Sequence, residues 1–165
     1  MGQIERTIYR IYAALEDHQA YHQLTVVEVE GKIAKQYISI FIDPRSTHNY
    51  ISPKFVEICV FKKTKNNKWW LVQLATRTKR KVSELVEKCP LEMGGLSTCA
   101  NLNILPLGSY DTLIGMDWLE AHRVKLDYYN KKFECIDDEG NQRVVTWIQK
   151  EIFVRHISTM LLKKF

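Results

Sequence analysis

Apolar residues recur at Ile4, Ile8, Ile11 and Leu15, in steps of four, three and four. That spacing predicts one face of an amphipathic helix over roughly residues 3–18. From Leu24 the period shortens to two. Residues 25–30 are rich in β-branched types, and Gly31-Lys32 is the expected turn before a strand over 37–42. Ile38, Ile40 and Ile42 share one face of that strand, which runs straight into Asp43. Pro44 ends regular pairing there, because it has no backbone donor.

Further along, Ser52-Pro53 reads as a helix start, with Ser as cap and Pro at the first helical position. Phe55, Val56 and Cys59 give that short helix an apolar side. Residues 62–68 read as a polar loop, 69–74 as a strand, 77–81 as a turn or hairpin tip, and 82–86 as the return strand. Gly94-Gly95 turns a second hairpin. Residues 112–114 read as a short buried strand, broken by Gly115 and followed by a helix from Asp117. Two more hairpins turn at Asn130-Lys131 and at 139–141. The total is eight or so strands and two short internal helices. It predicts a mainly β domain, a small closed barrel or sandwich.

A length of 165 residues fits one domain with room for two tails, and 45% hydrophobic residues suffice for a core. No apolar run approaches the ~18–20 residues of a membrane span. Residues 1–6 lack a basic-then-apolar leader, so no membrane association is expected, and a cytoplasmic or particle-associated location is. Twenty-four Lys and Arg against nineteen Asp and Glu give +5, with cations clustered at 62–68, 77–81 and 163–164. That balance permits attraction to nucleic acid without assigning it. Cys59, Cys89, Cys99 and Cys135 form no Cys-x-x-Cys pair and read as free thiols. His18 and His22 have no further ligands nearby, so no metal and no cofactor are expected.

Asp43 is the residue with chemistry to offer. An apolar strand ends in a carboxylate, followed by small polar residues. Two copies of such a loop, facing each other, share one proton; one carboxyl then acts as acid and the other as base on a water. Residues 41–52 (FIDPRSTHNYIS) and, about sixty residues later, 107–119 (LGSYDTLIGMDWL) resemble the retropepsin-like protease domain of gypsy-class retrotransposons. The resemblance covers roughly 24–136. It implies an acid-protease β-barrel, with residues 1–23 as a helical flank and 137–165 as a hairpin and basic tail toward the next polyprotein segment. By the same resemblance Asp43 is the catalytic aspartate, Pro44, Arg45 and Ser46 belong to the active loop, and Ser46, Thr47 and His48 contact substrate backbone. Ala75, Thr76 and Arg77 lie in the flap hairpin over the peptide, and Leu113 is a wall of the side-chain pocket. One active-loop motif implies a homodimer acting on a peptide or polyprotein substrate.

Two residues depart from the family pattern. Pro44 stands where the family has Ser or Thr and offers neither hydroxyl nor N–H to the partner loop. Arg45 stands where the family has Gly, and a guanidinium there opposes the shared proton. Residues 32–93 contain no Gly, so the flap tip lacks one as well. The expectation is an aspartic endopeptidase impaired in catalysis and weak as a dimer. The alternative is a non-enzymatic module that binds RNA or protein through its basic patches.

Overall fold

The computed structural model describes residues 8–10, 26–74 and 76–148. At its start the structure departs from the sequence pattern. Ile8–Arg10 is a strand, β1, rather than part of a helix; the rest of the expected 3–18 helix lies outside the described residues. β1 pairs in parallel with residues 71–73, a long-range partner that local spacing cannot reveal.

β2 (Val27–Ile33) and β3 (Gln36–Ile42) form an antiparallel hairpin from Val27↔Ile42 to Ile33↔Gln36. Its turn is Ala34-Lys35, not Gly31-Lys32. Both residues take positive φ, 51° and 67°, as the twist of a two-residue hairpin requires. Gly31 stays in the strand for another reason. A Cβ there would lie 2.2 Å from the Glu92 carbonyl oxygen and 2.4 Å from Ile40 Cδ1, so β2 could not cross the strand carrying Glu92. In β3, Ile38, Ile40 and Ile42 are buried on one face as expected.

The loop after Asp43 leads to β4 (Tyr50–Ile51) and α1 (Pro53–Cys59). Ser52 caps α1, its Oγ accepting from the Phe55 amide at 3.2 Å, with Pro53 opening the first turn. Such a cap is worth about 1 kcal/mol. β5 (Thr64–Gln73) and β6 (Lys79–Met93) form a long hairpin, so most of the expected polar loop at 62–68 is strand. The polar run escaped detection because this end of β5 has no apolar face to bury. β6 turns at Gly94-Gly95 into β7 (Leu96–Ile104). β8 (Thr112–Ile114) precedes α2 (Met116–Ala121). β9 (Lys125–Asp127), β10 (Lys132–Ile136) and β11 (Gln142–Thr146) make a separate antiparallel sheet.

Six strands close on themselves in the order β6-β2-β3-β8-β4-β7, and β7 returns to pair with β6. Closure removes the sheet edges within the ring. β5 continues the sheet outward from β6, and β1 covers the far edge of β5. One buried cluster fills the barrel around Val29, Ile40, Met93, Leu102 and Phe133. A second, with Tyr50, Val72, Val82, Leu105, Leu107 and Leu113, lies between the β5–β6 hairpin and the barrel. No helix among the described residues is long and apolar enough to cross a membrane.

Candidate active site

The loop of residues 43–49 leaves the end of β3, and a second segment, 114–117, holds it from the side. The Asp43 amide donates to the Ile114 carbonyl at 2.9 Å. The Met116 and Asp117 amides donate to the Ser46 and Thr47 carbonyls at 2.7 and 2.9 Å. Gly115 lies between them. A Cβ on it would sit 2.4 Å from the His48 carbonyl oxygen and 2.5 Å from that of Ser46. Both neighbours are backbone, so only Gly permits the approach.

Asn49 completes the junction. It is buried, its Oδ1 accepts from the Gly115 amide at 2.9 Å, and its Nδ2 donates to the Asn101 carbonyl and to Asp117 Oδ2 at 3.3 and 3.4 Å. Reasoning from sequence did not single out Asn49. An Asn in a polar stretch between strands carries no local signal that separates a buried tie from a solvated turn residue.

Asp43 itself is fully buried. Its Oδ1 accepts from the Arg45 amide at 2.9 Å and from Arg45 Nε at 3.2 Å. Its Oδ2 is buried without a hydrogen-bond partner. Ser46 spends its hydroxyl inside the loop, donating to the His48 carbonyl at 2.8 Å. Thr47 is exposed and Pro44 half-buried. The His48 ring packs 4.5 Å from the Trp70 ring of β5, and Trp70 Nε1 donates to the Tyr50 hydroxyl at 3.4 Å. Burial pushes the His48 imidazole below its ordinary pKa, against the pull of Asp117. Burial raises the Tyr128 phenol, and the Asp43 carboxylate raises it further while Arg45 opposes. The turn after β9 therefore lies within electrostatic reach of the Asp43 loop, another neighbour that the sequence pattern left unplaced.

The β5–β6 hairpin turns at residues 74–78, the segment that the resemblance assigns to a flap. Its tip closes with the Arg77 amide donating to the Leu74 carbonyl at 2.9 Å, and the Leu74 amide to the Thr78 carbonyl at 2.8 Å. Arg77 takes φ 68°, the left-handed position that Gly favours in such turns. Thr76 and Arg77 are exposed; Ala75 lies outside the described residues. Leu113 is wholly buried, in the same cluster as Val72 and Val82 of the hairpin. A groove of about 210 Å³, lined by residues including Asn49, Lys88, Asp117, Trp118 and His122, does not include Asp43. Among the described residues no group of three or more His, Cys, Asp or Glu is placed to hold a metal ion; His18 and His22 lie outside them.

Comparison with known proteins gives concordant results. The chain resembles the retroviral protease-like domain of Ddi1 from Leishmania major in fold, with a TM-score of 0.56 at 13% identity, covering 77% of this chain and 97% of that one. No curated protein sequence matches significantly. The family model for retroviral aspartyl proteases matches residues 6–141. With a closed six-stranded barrel and an aspartate loop seated on a glycine motif, the chain belongs to the retroviral aspartyl protease family.

Proposed function

We propose that this chain is the aspartic endopeptidase domain of a retrotransposon polyprotein, housed in the cytoplasmic particle of such an element, and that its active loop impairs catalysis. The observation that carries this reading is the buried Asp43 carboxylate, with one oxygen bound by Arg45 and the other without a partner. A second copy related by a two-fold axis would bring its own Asp43 to face that oxygen. The pair would then share one proton, one carboxyl activating a water and the other protonating the leaving amine. Pro44 contributes no hydroxyl to hold the two loops together, and Arg45 Nε occupies Oδ1, 3.2 Å away. Like cations meeting at the axis would further weaken the dimer.

The test is a peptide-cleavage assay between pH ~4 and 6, the range in which a carboxylate pair shares its proton, with and without a statine-type inhibitor. The native chain should cleave slowly or not at all. Pro44→Ser with Arg45→Gly should restore cleavage that the inhibitor blocks, that falls on dilution, and that Asp43→Asn abolishes. Rapid inhibitor-sensitive cleavage by the native chain would overturn the impairment. A folded, dimeric double variant that cleaves nothing would overturn the protease reading in favour of a non-enzymatic module.

A further inference from the structure

The cations are not spread over the molecule. Between Glu57 and Glu84 the chain has no acid at all, yet it carries Lys62, Lys63, Lys65, Lys68, Arg77, Lys79, Arg80 and Lys81. These are eight of the twenty-four Lys and Arg; the remaining sixteen share the rest of the chain with all nineteen Asp and Glu. Residues 58–83, which include β5 and the start of β6, are therefore strongly positive, while the rest of the chain is net negative. All eight side chains are exposed, and none is ion-paired among the described residues. Structural economy does not require this: an exposed hairpin of neutral stability would mix both signs to limit self-repulsion.

The two faces of the hairpin are also different. Trp70, Val72 and Val82 point inward, toward the active loop and the second core cluster. Trp69 points the other way and is 36% exposed, with Lys81 Nζ 4.8 Å from its ring centroid. Lys79 lies two residues from Lys81 on the same outer face. That face therefore combines a partly exposed indole with adjacent cations, on the side of the hairpin opposite Trp70, Val72 and Val82.

We propose that the outer face of the β5–β6 hairpin binds single-stranded nucleic acid, with the cations on phosphates and Trp69 stacking on a base. A run of like charges with no acid suits a regular polyanion, because phosphate contacts add along the strand. An indole plane between lysines suits an unpaired base, which every nucleotide supplies. An acidic peptide would satisfy the charge but leave the indole unused. This activity does not depend on Asp43 and stands apart from the protease reading.

The experiment uses the full chain and a fluorescein-labelled 20-nucleotide oligouridine, followed by anisotropy from 50 to 300 mM salt. Binding is expected to weaken steeply with salt, by a log–log slope of about 0.7 per phosphate contact. Lys65→Gln/Lys68→Gln/Lys79→Gln/Lys81→Gln should weaken binding at 50 mM salt at least ~10-fold and flatten the slope by about 2–3. Trp69→Ala should weaken it about tenfold with the salt slope unchanged. A charge-matched variant elsewhere, Lys35→Gln/Lys54→Gln/Lys125→Gln/Lys132→Gln, should bind within about twofold of the native chain. Circular dichroism and thermal melting verify that each variant is folded. Absence of binding at 50 mM salt overturns the proposal. So does equal loss in the two lysine variants, or binding of an oligoglutamate of equal charge as tightly as the RNA.

Discussion

Asp43 and Arg45 are joined through a single oxygen, Oδ1, which takes both the Arg45 amide at 2.9 Å and the guanidinium Nε at 3.2 Å. The amide contact belongs to the turn and survives any residue at 45 except Pro. The side-chain contact is specific to Arg. Arg45→Gly should therefore keep the loop folded and lose about 1–2 kcal/mol, from a partly exposed ion pair and the added backbone freedom of Gly. By itself it should not restore cleavage, because Pro44 still offers no hydroxyl. Urea denaturation and a peptide assay on the single variant check both statements.

Gly115 is the least replaceable residue of the site. Gly115→Ala places a methyl group against two carbonyl oxygens, of Ser46 and His48, neither of which can swing away. The expected loss is about 3 kcal/mol or more, among the largest for a one-carbon change. Asn49→Ala should cost about 2–3 kcal/mol by leaving the Gly115 amide unpaired in a buried position. A chemical-denaturation series ranks the two, and a Gly115→Ala protein as stable as the native one would refute this account of the junction.

At the end of α1 a β-branched residue occupies the left-handed cap, where the Val60 and Phe61 amides donate to the Glu57 and Val56 carbonyls at 3.2 Å each. Val60 takes φ 55° and is 86% exposed. A β-branched residue in the left-handed region is strained, and this one buries little in exchange. Val60→Gly should raise stability by about 1 kcal/mol, which for a chain of this size is a rise in Tm of about 2–4 °C. Differential scanning calorimetry reads it directly.

The pattern of legible and illegible elements follows from where each signal resides. Ser52-Pro53 and Gly94-Gly95 could be read because caps and tight turns are set by the residues that form them. The alternation of Ile38, Ile40 and Ile42 could be read because one side of β3 faces the core. Gly31 misled because its role is a contact with Glu92 and Ile40, residues distant in sequence or on the facing strand. Ala34-Lys35 could not be found, since neither residue advertises a positive φ. At the site, Asp43 and the Gly115 motif were legible as a spaced pair. Asn49, the Trp70–His48 contact and the approach of Tyr128 were not, because each depends on how separate strands meet in space.

Stability should fall as the solution is acidified through the histidine range. Burial holds the folded His48 pKa below the ordinary 6.5, so the unfolded chain binds the proton more readily. The contribution is complete above pH 6.5 and is lost progressively as the pH falls from there toward the folded value. His48→Gln should flatten this part of the profile. Urea midpoints at pH 7.5 and 5.0 for both proteins test it; an unchanged pH slope in the variant would assign the loss to other groups.

The four thiols should separate by reactivity. Cys99 is exposed, whereas Cys89 and Cys135 are buried. Burial, with smaller contributions from Cys59 and Cys99, pushes the Cys89 thiol up to about 12, which leaves almost no thiolate to react. An aromatic disulfide reagent at pH 8 should label Cys99 first. Cys89 should be labelled only when the protein unfolds, and mass spectrometry of digested samples gives the order.

Within the loop of residues 43–49, duties are divided by position. Ser46, Thr47 and Asn49 hold the segment around Gly115, whereas Arg45 meets the Asp43 carboxylate through both its amide and its side chain. A lineage released from selection for cleavage could therefore drift at 44 and 45 while keeping its barrel, yet it would collapse if it drifted at 49 or 115. Loss of chemistry would precede loss of shape in such a history. The same division makes the chain a natural host for new residues at 44 and 45, where the turn after Asp43 can be rewritten without touching the junction that supports it.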